Sequence, residues 1–291
     1  MSGASPQWFD EQYNNRARVP DSARIMERWT EASALSRELS PQATLDLAYG
    51  AAPSERLDLF PAQVDQPAPV LVFLHGGYWR ALDKSDHSFI APVFSDEGAL
   101  VIVPNYALCP AVSIEHIALQ LCQALAWTWR HVADYGGDPN RIILVGHSAG
   151  GHLAAMLACC DWKAVGRDLP RHLVKGVLSI SGLHDLAPIR RTPFLQADLG
   201  LDARAVRRLS PVHFPAPQAP IYCLVGAQES EEFRRQNQLL RQAWGESVVP
   251  HCEELPGLNH FDILRDLVDP QGRSHQLTRK LLDLRWYSAL L

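Results

Sequence analysis

Five residues, Gly146-His147-Ser148-Ala149-Gly150, stand between the apolar run Arg141-Ile142-Ile143-Leu144-Val145 and the helical-looking stretch Gly151-His152-Leu153-Ala154-Ala155-Met156-Leu157. A strand that turns sharply into a helix at G-x-S-x-G lifts the serine hydroxyl clear of a sheet edge. The flanking glycines let such a turn take up a backbone that a side chain would block. A second signal lies upstream, where His75-Gly76-Gly77-Tyr78-Trp79 directly follows the strand-like Val70-Leu71-Val72-Phe73-Leu74. Glycines at that point let backbone N–H groups approach a developing oxyanion. Gly76, Gly77 and Tyr78, with the N–H of Ala149, are the candidate donors. A tight turn after a central strand would explain one glycine but not the whole string.

The surrounding pattern specifies an α/β fold. Two short strand candidates, Ala43–Tyr49 and Arg56–Phe60, flank the turn-forming Gly50-Ala51-Ala52-Pro53-Ser54. Strand and helix then alternate, with strands expected at Val70–Leu74, Leu100–Pro104, Ile142–Val145, Val174–Ile180, Ile221–Val225 and Val248–Glu254. Helices are expected at about Ser85–Phe94, Ser113–Tyr135, His152–Cys160, Glu231–Trp244 and His275–Leu290. The central strands are continuous apolar runs, as a parallel sheet covered on both faces requires. An eight-stranded, mostly parallel sheet with helices on both faces is the most economical arrangement. Residues 41–291 read as one domain, with the non-periodic, proline-bearing stretch 181–220 as a cap-like insertion over the strand ends. Residues 1–40 read as a helical extension packing on it, with a helix from about Asp21 to Leu39.

A serine hydroxyl needs a base, and the base needs a partner to fix its tautomer. In a fold of this kind they follow in the order serine, acid, histidine. The acid belongs after Ile221-Tyr222-Cys223-Leu224-Val225, which selects Glu229; the histidine belongs in the loop after the last strand, which selects His260. Glu229 has a bland alternative, because acidic residues stabilise a helix N-terminus and a helix starts there. Asp185 is the chief rival acid and Asp262 a weaker one. His75 reads as a loop organiser, whereas His147 and His152 flank the nucleophile.

Composition narrows the remaining classes. The chain has 291 residues, 47% hydrophobic and 20% charged, with a net charge of −5, an ordinary globular balance that offers no basic patch to nucleic acid or an anionic membrane. No signal peptide and no span of roughly 20 apolar residues is evident, so a soluble cytoplasmic protein is the default. The six cysteines have no C-x-x-C spacing and read as structural thiols. No zinc-ligand spacing, G-x-G-x-x-G or P-loop occurs, so neither metal nor cofactor is expected. A small-molecule substrate is the expected partner, and a homodimer is left open.

These residues resemble the arylformamidase (kynurenine formamidase) branch of the α/β-hydrolase superfamily, from roughly Leu45 to the C-terminus. His75-Gly76-Gly77-Tyr78-Trp79 fits its H-G-G-x-W motif. Asn105-Tyr106-Ala107-Leu108-Cys109-Pro110 is similar to the segment after its fourth strand. Gly226 to Gln236 is similar to its acid-bearing segment, and Asn259-His260-Phe261-Asp262 to its histidine loop. The family's acid is often Asp, where this chain has Glu229, and either carboxylate can hold an imidazole. The N-terminal forty residues, with Trp8-Phe9 and Tyr13-Asn14-Asn15, look more like bacterial esterase relatives.

The resemblance implies a cofactor-independent serine hydrolase that cleaves an N-formyl aryl amine such as N-formylkynurenine to formate and the amine, a step of tryptophan catabolism. Tyr78, Trp79, Phe194 and Phe261, with Trp8 or Tyr13, are the candidate walls for a flat aryl group, and Trp79 reads alternatively as packing beneath its loop. A short-acyl carboxylesterase is the alternative. A non-catalytic binding protein on the same scaffold is the reading from another class, and the filled Ser148, Glu229 and His260 positions weigh against it.

Overall fold

Eight strands form one sheet in the order β1-β2-β4-β3-β5-β6-β7-β8 in the computed structural model, which describes residues 4–64 and 67–284. The strands are β1 (Thr44–Ala48), β2 (Arg56–Phe60), β3 (Ala68–Leu74), β4 (Leu100–Pro104), β5 (Gly137–His147), β6 (Val174–Ile180), β7 (Ile221–Gly226) and β8 (His251–Leu255). The first two are antiparallel to their neighbours, and all pairs from β4 onward are parallel. The expected α/β-hydrolase sheet is therefore present. Every residue of β3 and β4 is buried, which is why both read as uninterrupted apolar runs.

Alternate side chains of each strand feed two cores. Val70, Val72 and Leu74 of β3 pack with Leu121 and Leu125 of α5 (Ile114–His131), Leu153 of α6 (Ala149–Ala158) and Phe233 of α11 (Glu231–Trp244). Leu71 and Phe73 pack on the other face with Phe94 of α4 (Ala91–Asp96), Leu267 of α12 (Ile263–Val268) and Leu277 of α13 (Arg273–Leu282). The short α7 (Trp162–Val165) follows α6. Burying a Leu- or Phe-sized side chain contributes about 1.5–3 kcal/mol, so these two layers dominate the fold's stability. No helix among the described residues is long and apolar enough to cross a membrane.

Several boundaries differ from the sequence reading. The stretch expected as one helix over Ser85–Phe94 is two single 3₁₀ turns, Lys84–Asp86 and Ser88–Ile90, followed by α4. Asp83 closes the first turn as a capping box with Asp86, and Pro92 sits where only a helix start tolerates it. Strand β8 begins at His251, three residues late, because Pro250 has no N–H for the ladder. Helix α13 ends at Leu282, where Asp283 turns left-handed with φ 51°; positions 285–290 of the expected helix lie outside the described residues. The stretch 181–220 contains three short helices, α8 (Ala187–Arg190), α9 (Pro193–Leu199) and α10 (Ala203–Leu209), none long enough to show helical periodicity. At the N-terminus, α1 (Pro6–Tyr13) and α2 (Asn15–Arg18) precede the long α3 (Ser22–Glu38).

The loop after β3 is anchored from beneath by a buried ion cluster. Lys84 Nζ lies 2.7 Å from Asp58 Oδ1 of β2 and 2.8 Å from Asp46 Oδ1 of β1. The Asp58 side chain is 1% exposed, so removing its cation leaves an uncompensated buried charge. Lys84→Met should therefore cost about 3 kcal/mol or more in urea denaturation; a loss within about 0.5 kcal/mol, the range of ordinary surface changes, would show that the cluster carries little stability.

Candidate active site

Ser148 sits where β5 turns into α6, with φ 58° and ψ −118°, a backbone that costs a non-glycine residue of order 1–3 kcal/mol. Two features hold it there. The Ser148 N–H donates to the Ile180 carbonyl of β6 at 2.8 Å. The glycines on either side permit the close approach of strand and helix, since a Cβ on Gly150 would overlap the Leu74 carbonyl and one on Gly146 the Gly150 carbonyl. Ala149 is the first residue of α6, so its N–H has no acceptor within the helix.

His260, in the loop after β8, directs Nδ1 at Glu229 Oε2 at 2.6 Å. Glu229 follows β7 and has no exposed side-chain surface. Its other oxygen, Oε1, accepts from the Gly226 N–H at 2.8 Å and from Ser181 Oγ at 2.6 Å. Both rival acids are engaged elsewhere. Asp185 accepts from the Ala187 N–H at 2.9 Å at the start of α8, and Asp262 from Asn259 Nδ2 at 2.6 Å. Ser181 was not singled out by the sequence, although it stands directly after β6. It is fully buried with φ 52°, and its contact with Glu229 spans 48 residues.

The loop after β3 carries positive φ at Gly77 (99°), Tyr78 (52°) and Trp79 (57°). Only glycine fits at Gly77, where a Cβ would also overlap the Ala81 carbonyl. Beneath it the buried His75 ring stacks on Tyr106 at 4.2 Å, and the Tyr106 hydroxyl donates to the His75 carbonyl at 2.7 Å. Gly76 is buried beside His147 and Ser148.

Ser148 and His260 open on one cleft of about 450 Å³ whose walls include Gly77, Tyr78, Phe194 and Phe261. Three of the four expected aromatic walls therefore meet there. Trp79 does not: it has no exposed surface, and its ring packs edge-on against His152 at 5.0 Å. A tryptophan turned under the loop supports the backbone and has no face left for a ligand. Trp8 and Tyr13 also lie outside the lining. Unanticipated walls come from the N-terminal segment, with Asn14, Asn15, Arg16, Met26 and Trp29. Phe194 and Asp198 of α9 complete the rim, where Asp198 pairs with Arg80.

The N-terminal segment is tied in at Tyr13. Its carbonyl accepts from the Tyr78 hydroxyl at 2.6 Å, and its own hydroxyl donates to Glu232 Oε2 at 2.7 Å. The helix-start acids that made Glu229 ambiguous thus do separate jobs. Glu231 sits in the first turn of α11 behind the Ser230 cap, whereas Glu232 holds Tyr13 and Arg235.

His147 contributes in a way the motif alone does not show. Its Nε2 donates to the His260 carbonyl at 2.8 Å, so it steers the histidine loop. Burial, then the neighbouring His260, keeps its pKa well below the ordinary histidine value. His152 lies behind the nucleophile instead, with Nε2 donating to the Leu209 carbonyl at 2.6 Å, and burial lowers it to about 4. Burial likewise lowers His75, and takes His87 and His184 to about 3.

All five are neutral in the folded chain, while the unfolded chain binds protons at such sites near pH 6.5. Their stabilising contribution is full above that pH and is lost as pH falls toward the depressed folded values, each at up to about 1.4 kcal/mol per pH unit. The urea midpoint should therefore drop steeply from about pH 6.5 to about pH 4.5, with a shallower slope in His184→Gln. A midpoint flat across that window would mean that these rings are not held neutral.

The model of the BD-FAE family matches residues 57–229. Kynurenine formamidase from Salmo salar is 29% identical over 83% of this chain and 82% of its own length. Among solved structures, a protein from Silicibacter sp. TM1040 described as a candidate thioesterase is 32% identical, with a TM-score of 0.80 over 95% of this chain and 98% of that one. A thermophilic carboxylesterase cloned from a metagenomic library superposes with a TM-score of 0.73 over 98% of this chain and 99% of its own, at 17% identity, a likeness of fold alone.

Proposed function

Because this chain belongs to the BD-FAE family and is a hydrolase of the α/β-hydrolase fold, we propose that it cleaves an aryl formamide of the N-formylkynurenine type through Ser148, His260 and Glu229. The observation that carries this reading is the buried Glu229–His260 pair at 2.6 Å, set on the cleft into which the strained Ser148 opens.

His260, its Nδ1–H held by Glu229, presents Nε2 as a base. It takes the Ser148 proton as Oγ attacks the formyl carbon, and Glu229 stabilises the imidazolium that results. The carbonyl oxygen gains a negative charge, which the Ala149 N–H and the Gly77–Tyr78 loop receive. The C–N bond then breaks as His260 hands its proton to the departing aryl amine. Water, deprotonated by the same ring, attacks the formyl ester, and formate leaves with Ser148 restored. Trp29, Tyr78, Phe194 and Phe261 supply flat apolar walls suited to an aryl leaving group. The kynurenine formamidase relative supports the choice of substrate, which would place the reaction in tryptophan breakdown.

Purified protein should release formate from N-formylkynurenine faster than it hydrolyses p-nitrophenyl acetate. Ser148→Ala should lower kcat/KM by at least ~10⁴-fold, and Glu229→Gln by about 10³–10⁴-fold, as loss of a triad member does elsewhere. Asp185→Asn should stay near wild type. Ester turnover without formamide turnover would replace this substrate by a short-acyl ester, and an inactive Asp185→Asn beside an active Glu229→Gln would remove Glu229 from its role.

A further inference from the structure

The N-terminal wall of the cleft contains a polar group that the chemistry above does not use. Asn15 is 4% exposed and lines the cleft, and its buried side-chain Nδ2 has no hydrogen-bond partner among the described residues. A buried donor left unmade costs about 1–3 kcal/mol, so such groups in a cleft point to something that fills them on binding. Its neighbours are accounted for by structure. Asn14 Oδ1 caps α2 by accepting from the Ala17 N–H at 3.1 Å, and Tyr13 is the tie to Tyr78 and Glu232. Arg16 lines the same cleft, is exposed, and has no acidic partner among the described residues. The other charged side chains of the lining, Arg80 and Asp198, neutralise each other. The wall therefore carries a buried amide unpartnered among the described residues and, beside it in sequence, a guanidinium with no acidic partner among them.

We infer that Asn15 and Arg16 form a subsite for a carboxylate carried on the aryl leaving group, which makes the enzyme selective for acidic aryl substrates over neutral ones. This rests on the Ser148 hydrolase reading. A guanidinium engages a carboxylate by paired N–H bonds, and a fixed amide N–H fills a remaining lone pair. Because Tyr13 ties the segment down through both its carbonyl and its hydroxyl, the backbone that carries these two residues is placed before substrate arrives, which limits the ordering cost of binding.

The test compares kcat/KM within two matched pairs on the full chain, 4-formamidobenzoate against formanilide and 4-acetoxybenzoate against phenyl acetate. In each active pair the carboxylated member should be preferred, and Arg16→Glu should lower that ratio roughly tenfold, through KM, with added salt eroding the wild-type preference. Asn15→Leu should lower it too; Arg16 is exposed, so Arg16→Glu carries the test should Asn15→Leu fold poorly. Discrimination confined to the ester pair, with formamides inert, would refute the formamide reading while leaving the subsite standing. Calorimetry of the products reads the subsite without turnover: 4-aminobenzoate should bind more tightly than aniline, and Arg16→Glu should abolish the difference. Equal binding of the two products, or a ratio unmoved by Arg16→Glu, would overturn the proposal.

Discussion

A carboxylate with no access to water must find its donors within the protein, and in this chain the Glu229 carboxylate takes them from three separate segments. Ser181 comes from the end of β6, the Gly226 N–H from the end of β7, and His260 from the loop after β8. Parallel pairing brings these ends level, with Ile180 beside Leu224 and Gly226 beside Leu255. A buried carboxyl group costs free energy unless its oxygens find hydrogen-bond partners, so the ends of β6 and β7 and the loop after β8 are held together by the same group that orients His260. The left-handed backbone of Ser181 is tolerated because its hydroxyl is required there. Glu229, which holds the His260 ring, thus also joins the strand ends at the sheet's C-terminal edge.

Features encoded by nearest neighbours were readable from the sequence. The boundaries of α11 follow from the Ser230 cap and the acidic first turn, and the apolar centres of β3 to β7 from runs buried on both faces, although β5 starts five residues before its expected run, at Gly137. The turn at Ser148 was legible because glycine spacing, strand and helix all agree. What escaped depends on chain segments far apart. Ser181 reaches Glu229 across 48 residues and Tyr13 reaches Glu232 across 219, separations that leave no local pattern. The helices of 187–209 are too short for periodicity, and of the two readings open for Trp79 the backbone selects the one beneath the loop.

Histidine shows the same division between residue type and surroundings. Twelve occur in the chain, and those around the cleft differ by partner rather than by position in a motif. His147 and His152 both flank Ser148, yet each spends its Nε2–H on a main-chain carbonyl and burial keeps each neutral. His75 serves as a flat plate beneath the oxyanion loop, stacked between Tyr106 and His87. Of the two histidines lining the cleft among the described residues, His147 and His260, only His260 faces a carboxylate.

Tyr13 binds the loop of Tyr78 through its carbonyl and α11 through its hydroxyl, so one N-terminal residue joins a wall of the cleft to the helix that follows Glu229. Its partner lies four-fifths of the way along the chain. During synthesis the sheet can begin to assemble from β1 onward, yet this tie must wait until α11 has been made. A chain that has not yet extended through α11 therefore lacks this tie, and the N-terminal wall of the cleft has nothing from that helix to hold it.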